Sequence, residues 1–82
     1  MSKTVVAHEK IAPVSGKVEG TVEFFNKKRG FGFIKVDDQP RGVFIHAETL
    51  REHGIETLDD NQKVIVEWGN GAKGRAVAHI TV

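Results

Sequence analysis

Apolar and polar residues alternate in short runs along most of the chain after residue 16. Side chains of a strand point alternately to its two faces, so this pattern predicts short β-strands with one buried face. The predicted strands are residues 17–26, 31–36, 43–46, 63–68 and 75–82. A long polar connection separates the third from the fourth. Five short strands without a substantial helix predict a small barrel rather than a sandwich.

The first strand and the segment before it depart from this pattern. Phe24 and Phe25 are adjacent, which predicts a bulge with Phe24 turned outward and Phe25 inward. Residues 1–16 follow neither the strand period nor the helix period and end in Pro13-Val14-Ser15-Gly16. We therefore expect a mobile arm at 1–16, followed by one domain at 17–82.

The connections between strands, and Trp68 at the end of the fourth strand, carry further expectations. Residues 47–54 are too short and polar for a packed helix, so we expect at most one helical turn, closed by Gly54. Leu58 is the expected anchor of the connection that follows. Residues 69–74 are rich in glycine and predict a hairpin loop. Trp68 has the parity of two inward-facing valines, which favours a place in the core.

Aromatic side chains share one face of the second and third strands. Phe31 and Phe33 lie on one face of their strand, and so do Phe44 and His46 on the next. Exposed aromatic rings are costly unless something stacks on them, and nucleic-acid bases are the commonest flat partner. The opposite orientation, with these phenylalanines in the core, would expose the aliphatic residues between them and is disfavoured. A structural role for His46 stays open.

Charge is distributed unevenly, although the formal net charge is only +1. Acidic residues dominate 48–60. The cations nearest the aromatic positions are Lys27, Lys28, Arg29, Lys35 and Arg41. If they border the aromatic face, the molecule has a local positive field despite its near neutrality. A solvated surface of mixed charge is the alternative.

Several classes of function find little support in the sequence. The chain has no cysteine, hence no disulfide and no thiolate metal site. It has no apolar run of signal or membrane length, so we expect a soluble cytoplasmic protein. Asp37 and Asp38 are adjacent on a turn, both serines lie in the arm and no phosphate-binding glycine motif is present, so we expect no enzyme. His8, His53 and His79 lack metal-ligand spacing, and we expect no metal and no cofactor.

Taken together, the motifs resemble those of the bacterial cold-shock domain over about residues 18–81. The matching segments are Gly20 to Asn26, Arg29 to Ile34, Val43 to His46, Thr57-Leu58, Gln62 to Val64 and Lys73-Gly74. The resemblance implies an all-β, five-stranded antiparallel OB-fold barrel that binds single-stranded RNA and DNA. It also implies the common role of the family as RNA chaperone or transcription antiterminator.

The resemblance carries over a nucleic-acid-binding face. Its residues would be Phe24, Asn26, Lys28, Arg29, Phe31, Phe33, Phe44, His46 and Lys73. The rings would stack on bases at about 1–3 kcal/mol per base. Arg29 and Lys73 would either neutralise phosphates or stack as planar or cationic groups, and Asn26 would either bond a base edge or satisfy its turn. Gly30 and Gly32 would keep the strand clear where the ligand backbone approaches.

Several positions depart from the usual residues of that family. Phe24 replaces a common tryptophan, Glu23 a lysine, and Ala47 an aromatic residue. Ile55 takes the place of another aromatic residue, and Gly42 that of an acidic one. We therefore expect binding that is weaker, or that covers fewer nucleotides, than in a fully aromatic relative.

Two other functions stay open beside single-strand binding. Residues 48–60 and the apolar Val5, Val6 and Ile11 would suit a protein-interaction module, and a DNA-preferring transcriptional regulator is the other possibility. We expect a monomer with no membrane partner and no small-molecule substrate.

Overall fold

The computed structural model describes residues 11–37, 41–72 and 74–82. Its elements are β1 (Val18–Asn26), β2 (Phe31–Val36), β3 (Val43–His46), α1 (Ala47–Glu52), β4 (Lys63–Gly71) and β5 (Gly74–Thr81). The strands form one closed barrel in the order β1-β2-β3-β5-β4. The predicted five-stranded OB-fold barrel is confirmed.

Four of the five neighbouring strand pairs are antiparallel, and the fifth, β3 with β5, is parallel. In that pair Phe44 lies opposite Ala76. A closed ring with an odd number of strands cannot alternate direction throughout, so one neighbouring pair must be parallel. The antiparallel prediction therefore holds everywhere except at this junction.

The core consists of the inward side chains of all five strands, together with one residue from α1 and one from the connection after it. These residues are Val22, Ile34, Val36, Val43, Ile45, Leu50, Leu58, Val64, Val66, Trp68, Val77 and Ile80. The inward direction predicted for Trp68 is confirmed, since the residue is 8% exposed. Leu58 is buried and anchors its connection as predicted.

The predicted bulge lies in β1, where the pairing with β2 shifts between Val22 and Phe24. Phe24 is exposed and Phe25 packs against the core, as the sequence predicted. Gly32 lies under this bulge. A Cβ atom there would lie 2.3 Å from the Phe24 carbonyl oxygen and 2.8 Å from the Phe25 Cα. The expectation that Gly32 clears the outer surface for a ligand was wrong, because this glycine faces inward.

The connection after β3 contains a helix that is longer than the single turn predicted from the sequence. Residues 47–54 were expected to be too short and polar for a packed helix, but α1 is six residues long and buries Thr49 and Leu50. His46 caps its N-terminus, and His53 is the C-cap residue ahead of Gly54, which has φ +73°. The helix forms because Leu50 fills the barrel interior and a side-chain cap satisfies its first turn.

The hairpin between β4 and β5 is tighter than predicted. Instead of a loop at 69–74, β4 continues to Gly71, which pairs with Gly74. Gly74 has φ +117°, a conformation that other residues rarely adopt, so glycine permits the close turn.

Part of the predicted arm lies on the barrel. Residues 1–10 are outside the described residues, but Pro13 pairs with Gly69 of β4. The backbone N–H groups of Val14 and Ser15 both donate to the Trp68 carbonyl, at 2.9 and 3.1 Å. The Trp68 backbone N–H in turn donates to the Ser15 hydroxyl at 2.9 Å. The domain boundary at residue 16 stays a prediction, and the segment just before it is attached to β4.

Candidate functional site

Five rings occupy the outer surfaces of β1, β2 and β3, and we call them the aromatic face: Phe24, Phe31, Phe33, Phe44 and His46. Strand register fixes their arrangement. Phe24 lies opposite Phe33, which lies opposite Phe44, so one row crosses all three strands. Phe31 lies opposite His46 in the next row. The structure thus brings together all the aromatic residues that the sequence assigned to the site.

Each ring of the aromatic face lies beside at least one other. Phe31 is stacked with Phe44 at 5.7 Å between ring centroids and 15° between planes. Phe24 meets Phe31 and Phe33 at 6.0 and 5.8 Å. Phe33 meets Phe44 edge-on at 5.8 Å. Because neighbours hold these rings in place, a stacking ligand finds a surface that is already ordered.

Exposure differs across the aromatic face. Phe24 is 39% exposed, and the other four residues are half-buried. Phe24 lies beside the β1 bulge, which turns it outward. A half-buried ring keeps one side in the protein and offers the other to a flat ligand.

His46 serves the aromatic face and the helix together. Its Nδ1 accepts a hydrogen bond from the Glu48 backbone N–H at 3.0 Å, which caps α1. Its ring centroid lies 6.3 Å from that of Phe44. The structural role that the sequence left open is therefore present, and it fixes the ring at the border of the aromatic face.

Asn26 organises the turn between β1 and β2. Its Oδ1 accepts from the Arg29 backbone N–H at 2.9 Å, and its carbonyl accepts from the Gly30 N–H at 2.8 Å. The side-chain oxygen thus satisfies the turn. Asn26 also lies opposite Phe31 in the β1–β2 ladder, so its exposed side chain borders the aromatic face.

Cations border the aromatic face at this same turn. Lys28 and Arg29 are exposed there. Lys27 is exposed too, with its Nζ 3.8 Å from the Glu56 carboxylate. Lys35 is exposed on β2. Lys73 lies outside the described residues, so its place in the predicted site stays an expectation.

Of the positions that depart from the family pattern, Phe24 belongs to the aromatic face and the others do not. A Cβ on Gly42 would be 3.6 Å from a Glu23 carboxylate oxygen, so a negative charge lies beside the start of β3. Ala47 lies next to the Gly30 turn, and Ile55 packs against the core. None of these four positions contributes a ring to the aromatic face.

One residue of the surroundings was missed by the sequence reasoning. Ala76 of β5 lies opposite Phe44 and extends the row that begins at Phe24. Its signal could not be found along the chain, because the pairing of β3 with β5 joins segments about 30 residues apart.

Trp68 lies apart from the aromatic face, at the barrel end where residues 13–15 attach. The Arg75 guanidinium carbon lies 5.4 Å from the Trp68 ring centroid, in cation–π range. The indole is therefore covered by this protein's own groups.

Two further findings hold for the described residues. No helix among them is long and apolar enough to cross a membrane. Within the same residues, no group of three or more histidine or acidic side chains is placed to hold a metal ion.

Comparison with known proteins gives one consistent result. Residues 18–82 match the sequence model of the family described as 'Cold-shock' DNA-binding domain. The chain is 44% identical to a cold shock protein of Arthrobacter globiformis over 64 residues, which are 78% of this chain and 96% of that protein. It is 41% identical to the cold shock-like protein CspE of Escherichia coli K12, over 78% of this chain and 93% of the relative. Identity to CspI of the same organism is 39%, over 82% and 96%.

Proposed function

This chain belongs to the cold-shock DNA-binding domain family, whose members bind nucleic acids and are not enzymes, and we propose that it binds single-stranded RNA and DNA by base stacking. The observation that carries the proposal is the aromatic face, which places five rings within contact of one another across three strands. The proposed site residues are those predicted from the sequence, with Lys73 included on the resemblance alone.

Stacking explains why binding would tolerate many sequences. Every base has a flat face, so a row of rings accepts any of them at about 1–3 kcal/mol per base. Duplex bases are already stacked on each other, and only an unpaired strand offers its faces to the protein. Binding therefore favours single strands over duplexes.

The cations at the β1–β2 turn support backbone contact. Lys28 and Arg29 are exposed beside Phe31, the first residue of β2. A nucleic-acid strand laid along the aromatic face would bring its phosphates to this edge. There the two cations neutralise phosphates and so release the counterions of the nucleic acid. The Glu23 carboxylate lies near Gly42, beside the start of β3, where it repels the phosphates of the same nucleic-acid strand and lowers the affinity.

An RNA chaperone role follows from this mode of binding. A protein that binds only unpaired strands shifts weak hairpins toward the open form without consuming ATP. The free energy of melting comes from binding alone, so the effect saturates with protein concentration. Hairpin melting monitored at rising protein concentration tests this role, and melting that requires ATP would contradict it.

Titration of a dye-labelled pyrimidine oligonucleotide, followed by anisotropy, tests the proposed stacking. Phe31→Ala should weaken binding roughly five- to over a hundred-fold, because one stacking ring is lost. Ile65→Ala is the matched control. Ile65 is also an exposed apolar strand residue, 37% exposed, but it lies on β4 opposite Glu19.

The same titration separates the proposal from a protein-interaction module. Saturable binding that Phe31→Ala weakens and Ile65→Ala leaves intact supports stacking on the aromatic face. Lack of saturable binding at low salt by the unsubstituted protein would contradict it. Matched RNA and DNA oligonucleotides then measure whether the site prefers either sugar.

A further inference from the structure

Two histidines that are 26 positions apart in sequence meet on the surface between the end of α1 and β5. His53 Nε2 lies 3.3 Å from His79 Nδ1, and the ring centroids are 5.4 Å apart. His53 is the C-cap residue of α1, and His79 lies near the end of β5. This pair lies outside the aromatic face and is not explained by nucleic-acid binding.

The hydrogen bonds of His53 fix its tautomer. Its Nδ1 lies 2.8 Å from the Thr49 carbonyl oxygen. A carbonyl oxygen can only accept, so Nδ1 carries the proton and the Nε2 of neutral His53 has a free electron pair. With His53 in this tautomer, its Nε2 is the acceptor and His79 Nδ1 the donor of the contact between them.

This is the arrangement that metal-binding histidines use. Their second ring nitrogen commonly donates to a backbone carbonyl, which orients the ring and makes the ligating nitrogen more basic. The distance between the two nitrogens fits as well. Two ligands at about 2.0–2.1 Å from a tetrahedral zinc ion lie about 3.3 Å from each other.

We propose that His53 and His79 form a binding site for a transition-metal cation of the zinc type, held by His53 Nε2 and His79 Nδ1. The metal replaces the proton now between these two atoms. That proton moves through solvent to His79 Nε2, so both imidazoles stay neutral and no net proton is released. Imidazole selects zinc, copper, nickel or cobalt over magnesium and calcium, which prefer oxygen ligands.

The described residues supply these two ligands, and water completes the coordination shell. A bound metal would tie the C-terminal end of α1 to β5. Because only the folded chain brings residues 53 and 79 together, binding also stabilises the fold.

Calorimetric titration of the untagged full chain with zinc chloride tests the site. His79→Gln and His53→Gln should each weaken zinc binding at least about tenfold, since loss of a supporting group alone costs that much. His8→Gln is the matched control, because it removes a histidine elsewhere in the chain, and it should leave the affinity unchanged. Magnesium chloride should give no binding heat. Equal affinity in the unsubstituted protein and His79→Gln would overturn the site.

Nitrogen-15 NMR of the imidazoles provides a second readout. Zinc should shift His53 Nε2 and His79 Nδ1, and His79 should change from the Nδ1–H to the Nε2–H tautomer. Zinc binding that leaves both rings unshifted would overturn the site even if the protein is stabilised.

Discussion

His46 caps a helix and lies at the border of the aromatic face, and these two roles can be separated by substitution. His46→Asn keeps a side-chain acceptor for the Glu48 N–H and removes the ring. It should leave stability nearly unchanged and weaken oligonucleotide binding roughly five- to over a hundred-fold. Chemical denaturation and anisotropy titration measure the two effects.

His46→Phe is the complementary variant, because it keeps a flat ring and removes the cap. Loss of an N-cap costs about 0.5–2 kcal/mol of stability. Oligonucleotide binding below the unfolding transition should remain within a few-fold of the unsubstituted protein. If His46→Asn binds normally, the ring does not contact bases and His46 is a cap alone.

Gly32 gives a prediction about packing. Its Cβ position is 2.3 Å from the Phe24 carbonyl oxygen, so Gly32→Ala must push β1 away from β2. Overpacking of this kind costs about 1–3 kcal/mol, which urea denaturation would show as a lower midpoint. Gly16→Ala is the control, since nothing lies within 4 Å of its Cβ position. An unchanged midpoint for Gly32→Ala would mean that the bulge is looser than described.

At the residue scale, strand parity predicted much of the structure. It placed Ile34 and Val43 inside, because alternation along a strand is a local property, and the break in alternation at Phe24 and Phe25 predicted the bulge that turns Phe24 outward. Parity also gave Gly32 the same inward direction as Ile34. The expectation for Gly32 failed because it explained the missing side chain by a bound ligand. The missing side chain instead makes room for the Phe24 and Phe25 backbone on the neighbouring strand.

Among the elements, the segment before β1 gives a prediction of its own. A Cβ on Gly69 would lie 2.0 Å from the Ala12 carbonyl oxygen and 2.9 Å from Ile11, so Gly69→Ala should detach residues 11–15 from β4. Hydrogen exchange at the Val14 and Ser15 amides should accelerate, while that of the barrel strands should not. Gly16→Ala should leave these amides protected.

Trp68 fluorescence offers a second measurement of the same event. Residues 13–15 hydrogen-bond to the Trp68 backbone and Arg75 lies over its indole ring, so detachment should change the emission of Trp68. Oligonucleotide binding to the aromatic face should change it little. Strong quenching by an oligonucleotide would mean that the ligand reaches the β4–β5 end of the barrel.

The elements that the sequence predicted only in part depend on distant partners. Helix α1 is stabilised by the burial of Leu50 in a core built from other strands, and the attachment of residues 13–15 depends on a glycine more than 50 positions away. A hydrophobic pattern in one sequence reports only on residues that are close together along the chain. Such patterns predicted β1, β2 and β3 within a residue of their ends, since those strands carry clear alternation.

For the whole molecule, charge distribution predicts the response to salt. Neutralising roughly three to five phosphates of a single strand gives a log–log slope of about −2 to −3.5 for affinity against salt. Arg29→Gln should make the slope less steep by about 0.7, the contribution of one phosphate. Lys17→Gln is the control with the same loss of charge, because Lys17 precedes β1 and Arg29 follows its far end. Equal slopes for all three proteins would exclude Arg29 from phosphate contact.

The candidate site was predictable to the extent that it lies on consecutive strands. Phe31, Phe33 and Phe44 could be grouped because β2 and β3 follow each other closely in the sequence and pair directly. Ala76 and the meeting of His53 with His79 could not, because both depend on how the ring of strands closes.

Closure of that ring also determines when the domain can form during its synthesis. β5 pairs with β3 on one side and with β4 on the other, and it supplies Val77 and Ile80 to the core. Until β5 has left the ribosome, the edges of β3 and β4 that it will cover are bare. A nascent chain in that condition has an open sheet whose edges can pair with other chains. Emergence of β5 from the ribosome, rather than of the aromatic segments, is therefore the step that gives a protected domain.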